Sequence, residues 1–484
     1  MRARPGGARR AVRPAPDPRP PRRPSRSPRP RARGGDPVPD GLSVRAAARE
    51  AGARLALIAP GLRATWRELA ERAAEEAAAL RRRGADPELP FPVTVRADAE
   101  SVVLLLALIE EGITAVPLDA RWTESERSAA LARLAPPPPL EGDPHDPERP
   151  LAIVFTSGTS ARPKAVVLSR RAFAAAAAAS ASVLGWREDD RWLLCLSPAR
   201  IGGLAVLTRC LAARRPVVVS PRFEPEGFAR IVSEERITLV SLVPAMLAEL
   251  LRRLPAWRPP RHLRAVLLGG ASAGEDLLDE ARRRGVPVAP CYGASETCAH
   301  VTLALPGAAA GCGPPLPGVE VAVRDGRLCV RGPVLFSGYA DAGRIAGGPD
   351  AAGWWETGDV GRIDSAGCVH VTGRADETIV SGGENVSPAA VERVLRGHPA
   401  IRDALVAGVP DERWGQVVGA LIVTEGPPPA RPALDAWLRA RLSGAARPRR
   451  WRVVDALPLT REGKPDRRQA ARLLADPAPP ESGQ

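Results

Sequence analysis

The sequence predicts an α/β fold with a mostly parallel sheet, then a stretch of short strands, then a distinct C-terminal unit. Three observations predict it. Residues 151–155, 216–220, 239–242, 265–268 and 287–289 are short, continuous apolar runs, as expected of buried strands. Helical stretches such as 244–254 and 274–284 alternate with them, which is the pattern of α/β layers. From about Val319 the chain turns to short strands separated by Gly turns. After Arg374 come two helical stretches with strands at 404–408 and 417–424.

Taken in order, the chain opens on a basic tail. Residues 1–35 hold twelve Arg against one acidic residue, Asp17, so most of the net charge of +14 sits there and the remainder is close to neutral. A segment of Pro, Arg, Gly and Ser cannot bury enough apolar surface to offset its ordering entropy. Residues 1–40 are therefore expected to be disordered, and no nucleic-acid partner is expected. A basic arm that binds nucleic acid or an anionic membrane is the alternative reading. Next, 66–83 reads as an amphipathic helix ended by Gly84, and strands at 92–95 and 113–117 flank an apolar helix at 100–111. Residues 136–150 are a Pro-rich break. The best uninterrupted apolar run, 102–109, is too short to span a membrane. No secretory signal is expected, because no apolar segment follows the N-terminal arginines. The seven cysteines form no CxxC pair and have no metal-ligand spacing with the five histidines. They read as reduced thiols in a cytoplasmic protein.

Five segments carry chemistry. Directly after the strand at 151–155 comes Thr156-Ser157-Gly158-Thr159-Ser160-Ala161-Arg162-Pro163-Lys164. Its hydroxyls, backbone N–H groups and Lys suit a polyphosphate, although the Walker A spacing is absent and a polar turn is the plainer reading. Cys291-Tyr292-Gly293-Ala294-Ser295-Glu296-Thr297 puts an aromatic ring, a hydroxyl and a carboxylate close together, enough for a base, a phosphate and Mg²⁺. Trp354-Trp355-Glu356-Thr357-Gly358-Asp359 offers a carboxylate for a ribose diol. Gly373-Arg374-Ala375-Asp376 is followed by Ser381-Gly382-Gly383-Glu384-Asn385, whose Gly pair allows unusual backbone angles. Thr460-Arg461-Glu462-Gly463-Lys464-Pro465 lies near the C-terminus.

The lysines are an independent clue. Of the 69 basic residues only two are Lys, Lys164 and Lys464, and both fall in these segments. An ammonium is a compact point charge with free donors, which a planar guanidinium does not replace at a tight phosphate or carboxylate.

In this order and spacing the five segments resemble the adenylate-forming superfamily of acyl-CoA synthetases, peptide-synthetase adenylation domains and luciferases, over about residues 42–473. The resemblance implies a large N-terminal domain of stacked mixed sheets flanked by helices, with a β-subdomain, and a small mobile α+β C-terminal domain. It divides the chain into a tail (1–40), an AMP-binding domain (41–374), a hinge (375–376), a lid (377–473) and a second tail (474–484). It implies that Thr156, Ser157, Gly158, Thr159, Ser160 and Lys164 grip the phosphates of ATP. Tyr292 stacks on adenine near Gly270, Ser295 meets the α-phosphate and Glu296 holds Mg²⁺. Asp359 takes the ribose hydroxyls and Arg374 lies beside them. Asp376 is the hinge residue, Lys464 bridges the acid and the α-phosphate, and Gly382 and Gly383 face the path of the coenzyme A thiol. Ala161 stands where a Gly is usual, and Ser295 where a Thr is usual.

The same resemblance implies two steps, formation of an acyl-adenylate and then of an acyl-CoA thioester. The stretch 196–204, with Arg200, Gly202 and Gly203, looks like the acyl-pocket wall. It lacks the Asp with which amino-acid-activating relatives hold an ammonium. The stretch through Arg209, the compact length and the run Tyr292 to Thr297 ending in Cys298 together resemble the o-succinylbenzoate–CoA ligases of menaquinone biosynthesis, although their aromatic–His pair is missing at 198–200. Arg200, beside a flexible Gly pair, is expected to grip the second carboxylate. Arg209, on an apparent helix, is the second candidate, with a solvent-facing position as the plainer alternative. The alternatives are an aryl- or fatty-acid–CoA ligase, or a non-catalytic adenylate-binding protein.

Overall fold

The computed structural model describes residues 41–140, 142–156, 163–308, 311–460 and 463–475. The expected tail 1–40 lies outside the described residues.

The first sheet has eight strands, in the order Ala299–Leu303, Val288–Ala294, Ala265–Leu268, Leu239–Leu242, Trp192–Leu194, Val217–Val219, Leu55–Ala59 and Leu62–Thr65. Its six inner strands are parallel, and each edge strand is joined by an antiparallel turn. The apolar runs at 239–242 and 265–268 form these strands with every residue buried or nearly so. That is what helices on both faces of a parallel sheet require.

The second sheet runs Arg344–Ala346, Gly338–Asp341, Lys164–Ser169, Pro150–Thr156, Ala115–Asp119 and Phe91–Val95. It is mixed. Pro150–Thr156 pairs in parallel with Ala115–Asp119 and antiparallel with Lys164–Ser169. The run at 151–155 thus reads correctly as a buried strand but is parallel on one side only, because the short loop after Thr156 can join only antiparallel neighbours. Helix Trp66–Arg82 follows a capping box in which the Thr65 side chain and Glu68 satisfy each other's backbone N–H groups. Helix Ala99–Glu110 is capped by Asp98 and buries Ser101, Val102 and residues 105–109.

The Gly-rich region after Val319 forms an antiparallel sheet of Glu320–Arg324, Arg327–Arg331, Trp354–Ile363 and Val369–Arg374. The C-terminal unit has its own sheet, in which Gly415–Thr424 pairs with Ile401–Asp411, Ile379–Ser381 and Arg450–Val453. Helices Pro388–Arg396 and Arg431–Arg439 cover one face through Val391, Leu395, Leu434 and Leu438. Helix Arg467–Ala475 covers the other through Ala470 and Leu474. It runs through 474 and 475, which the sequence reading assigned to a tail, because Leu474 has apolar surface to bury there. Among the described residues no helix is long and apolar enough to cross a membrane.

Candidate active site

The site lies where the first two sheets meet at their strand ends. Strand Val288–Ala294 runs into a short turn, Ser295–Thr297, and the Phe336 N–H from the loop before Gly338–Asp341 donates to Glu296 O at 2.9 Å. The Thr297 hydroxyl ties this turn together by bonding the Ala294 N–H and the Ala299 carbonyl. Cys298 adopts a left-handed backbone with φ of 51° to close it. Glu296 is thereby fixed, and its Oε1 accepts the Tyr339 hydroxyl at 2.9 Å.

Lys164 opens the strand after the phosphate-type loop, in register with Thr156. Its Nζ lies 4.9 Å from the centre of the Tyr339 ring. Lys164, Tyr339 and Glu296 therefore form one cluster. Ser157, Gly158, Thr159, Ser160 and Ala161 lie outside the described residues. Among the described residues no group of three His, Cys, Asp or Glu side chains could cage a metal. A single anchored carboxylate such as Glu296 is of the kind that suits Mg²⁺, which takes one or two carboxylates and completes its shell with phosphate oxygens and water.

Tyr292 is only 8% exposed, in the main core. Its hydroxyl donates to Asp359 Oδ2 at 2.8 Å. Burial, reinforced by the Asp359 charge, pushes the phenol well above its ordinary value, so it stays a donor. The other Asp359 oxygen accepts from Arg374 Nη1 at 3.2 Å, and the Asp359 N–H donates to the Thr357 hydroxyl at 3.0 Å. Gly358 leaves room for the Arg374 guanidinium, which a Cβ there would strike. The same guanidinium holds Asp376 by Nε to Oδ1 at 2.8 Å. Asp359, Arg374 and Asp376 are thus brought together as a chain of charges. Both neighbouring carboxylates keep the Arg374 pKa above its usual value, against the opposing effect of burial.

The Thr460–Lys464 turn is closed by Thr460 N–H to Lys464 O at 2.7 Å, with Gly463 at φ 75°. Residues 461 and 462 lie outside the described residues. A Cβ at Gly463 would lie 3.5 Å from Val243 Cγ2, and one at Gly270 3.4 Å from Val243 Cγ1. The Lys464 turn and the Gly270 turn therefore meet across Val243. Gly382 and Gly383, at φ 59° and 86°, form the tight turn between Ile379–Ser381 and Glu384–Val386, with Trp414 packed against Gly382.

The pocket wall differs from the sequence reading. Residues 201–213 form a buried helix, Ile201–Ala213, and Arg200 is its N-cap. Arg200 donates to Phe155 O at 2.9 Å and lies over the Trp122 ring. Gly203 is not a flexible joint: its bare Cα packs against the Ser197 backbone. Arg209, the second candidate, does not face solvent: it is 3% exposed. Its Nε and Nη2 are buried without a hydrogen-bond partner, and no other described residue has two such atoms. Its guanidinium lies 5.8 Å from the Trp192 ring centre. Burial pulls its pKa down to about 10.

One site residue, Tyr339, escaped the sequence reading, and Thr357 was quoted in its segment without a role of its own. The signal for Tyr339 was present. The chain has only two tyrosines, Tyr292 and Tyr339, and each places its hydroxyl on a site carboxylate.

The family model described as AMP-binding enzyme matches residues 44–137 and 128–340, and that described as AMP-binding enzyme C-terminal domain matches 390–464. The 2-succinylbenzoate–CoA ligase of Bacillus licheniformis is 33% identical over 370 residues, 74% of this chain and 76% of that protein. The o-succinylbenzoate CoA synthetase of Bacillus subtilis, solved with its acyl-adenylate intermediate, superposes with a TM-score of 0.78 at 29% identity, over 89% of this chain and 98% of that one. The same enzyme solved with ATP and magnesium ion gives 0.78 at 28%, over 90% and 99%. With two family models in series and relatives aligned along most of its length, this chain belongs to the AMP-binding enzyme family.

Proposed function

We propose that this protein is an ATP-dependent 2-succinylbenzoate–CoA ligase serving menaquinone biosynthesis. The observation that carries the choice of acid is Arg209, a buried guanidinium with two unpartnered N–H groups. An unpaired buried cation is costly, and a carboxylate that arrives with the substrate offsets that cost. A fatty or simple aryl acid has no carboxylate to spare, since its only one reacts. 2-Succinylbenzoate has two. Arg209 therefore takes the place first given to Arg200, whose guanidinium already serves the Phe155 carbonyl and the Trp122 ring.

The division of labour is the one that the family resemblance implies. Thr156, the loop 157–160 and Lys164 hold the β- and γ-phosphates of ATP. Asp359, aligned by Tyr292, Thr357 and Arg374, takes the ribose diol. The buried Tyr292 ring and the Gly270 turn bound the adenine side, and Ser295 meets the α-phosphate. Glu296 holds Mg²⁺, which neutralises charge on the phosphate oxygens. Lys464 lies between the acid carboxylate and the α-phosphate and offsets the charge that develops as they join. A carboxylate oxygen bonds to the α-phosphorus and pyrophosphate leaves. Residues 377–473 then swing as a lid about 375–376, withdrawing Lys464 and bringing Gly382 and Gly383 to the thiol path. The coenzyme A thiolate bonds to the acyl carbon and AMP leaves. A compartment that keeps thiols reduced, as the cytosol does, suits the seven free cysteines.

Pyrophosphate release measured against a panel of acids tests this reading. 2-Succinylbenzoate should give the highest kcat/KM, and higher turnover of fatty or monocarboxylic aryl acids would refute it.

A further inference from the structure

His300 is a second buried group with an unpartnered atom, on the strand against which the Arg209 helix packs and within reach of the Arg209 charge. It stands on strand Ala299–Leu303, in register with Gly293 on Val288–Ala294. The two backbones pack so closely that a Cβ at Gly293 would lie 2.6 Å from His300 Cα. His300 is 6% exposed, and its Nε2 is buried without a hydrogen-bond partner. Native proteins leave few buried polar groups unpaired, so two neighbouring side chains with unpaired atoms point to a ligand that satisfies both.

The charge state of His300 is set by its surroundings. Burial, and after it the Arg209 charge, holds its pKa well below 6.5. The thiols of Cys291 and Cys298, which also feel Arg209, are pushed up to about 12 by burial and remain neutral. Arg209 is the one charged group acting on His300 among the described residues. The pair presents a single positive charge to a single carboxylate, and a neutral imidazole N–H adds a donor without adding charge.

We propose that His300 is a specificity residue of the acid pocket, donating a hydrogen bond from Nε2 to the carboxylate that Arg209 grips. This rests on the reading of the substrate as 2-succinylbenzoate. Arg209 supplies the ionic attraction. His300 adds a directional hydrogen bond that holds the second carboxylate in the pocket.

The test uses His300→Leu, close in size and without a donor, and His300→Gln, which restores an N–H. Steady-state kinetics are run with 2-succinylbenzoate and with 4-oxo-4-phenylbutanoate, the same acid without the ring carboxylate. His300→Leu should raise KM for 2-succinylbenzoate about ten-fold, as expected for losing a hydrogen bond to a charged group, with kcat little changed. KM for the analogue and for ATP should stay as in the wild type, and His300→Gln should recover most of the loss. Between pH 6 and 8.5 the wild-type KM for 2-succinylbenzoate should show no inflection near 6.5, because His300 stays neutral. Equal losses on both acids, no recovery with Gln, or a wild-type inflection near 6.5 would overturn the proposal. Absence of wild-type turnover with 2-succinylbenzoate would instead overturn the substrate reading itself.

Discussion

The Tyr292 hydroxyl stands 2.8 Å from Asp359 Oδ2 and joins the end of the parallel sheet to the antiparallel sheet that carries Asp359. The carboxylate proposed to bind ribose is thus oriented from two sides, with Arg374 on the other oxygen. Tyr292→Phe keeps the ring and removes the hydroxyl. We expect KM for ATP to rise about five-fold and the unfolding free energy to fall by about 1 kcal/mol, the usual worth of such a bond. KM for the acid should not move. Kinetics with each substrate varied in turn, together with urea unfolding, checks this.

Lys464→Ala should lower the rate of adenylation at least about a hundred-fold, since it removes a preorganised charge at the reacting phosphate. Thiolysis of supplied acyl-adenylate by coenzyme A should continue at near the wild-type rate. Single-turnover measurement of each half-reaction separates the two. Equal loss in both would mean that Lys464 supports the fold and does not act in adenylation.

Arg209→Met replaces an unpaired buried cation with an apolar chain of similar length. KM for 2-succinylbenzoate should rise about 30-fold, roughly 2 kcal/mol, as expected when one partner of a buried charge pair is removed. The free protein should melt at the same temperature or higher, because the lone charge is a burden without its ligand. Arg200→Ala should do the reverse, costing about 1 kcal/mol of stability through its lost bond to Phe155 O and leaving KM nearly unchanged.

Alkaline stability follows from the buried thiols. Burial raises the Cys298 pKa from 9.0 to about 12 and raises that of Cys210 as well. A raised folded pKa means that the native state keeps a proton which the unfolded chain loses. The stabilising contribution is whole below pH 9 and declines as pH climbs toward 12. Each such thiol should remove about 1.4 kcal/mol of stability per pH unit in that window. Urea unfolding at pH 8, 9 and 10 should show the decline, and Cys298→Ala should make it shallower.

Arg467 binds Glu377, just after the proposed hinge, at 2.8 Å, and also binds Glu392 and the Val406 carbonyl. Glu392 is buried, and Arg467→Ala removes its nearest cation, leaving it the Val406 N–H at 2.9 Å and the more distant Arg396 at 4.0 Å. A loss of about 3 kcal/mol is expected, read by urea unfolding of the full chain. A loss under about 1 kcal/mol would show that water reaches Glu392.

Much of the fold was legible because buried strands and capped helices announce themselves locally. The runs at 239–242 and 265–268 became strands with those bounds, and Thr65 with Glu68 fixes the start of its helix. Sheet sense was less legible, since hydrogen-bond partners lie far along the chain. For the strand Pro150–Thr156 the two sides proved to differ.

The sequence by itself determined the family, through five polar segments in fixed order, and marked the site by rarity, with two lysines and two tyrosines in its segments or on its carboxylates. Such signals survive in one dimension because phosphate and carboxylate chemistry demands particular side chains at particular spacings. Only the tertiary structure decided which arginine is available to a substrate. Arg200 and Arg209 sit nine positions apart in a chain with arginine everywhere, and nothing local distinguishes them. Each lies over an indole, and what separates them is hydrogen bonding: Arg200 donates to the Phe155 carbonyl, whereas Arg209 is folded into the interior with Nε and Nη2 unbonded. Desolvation is a property of the packed molecule and leaves no trace in composition or spacing.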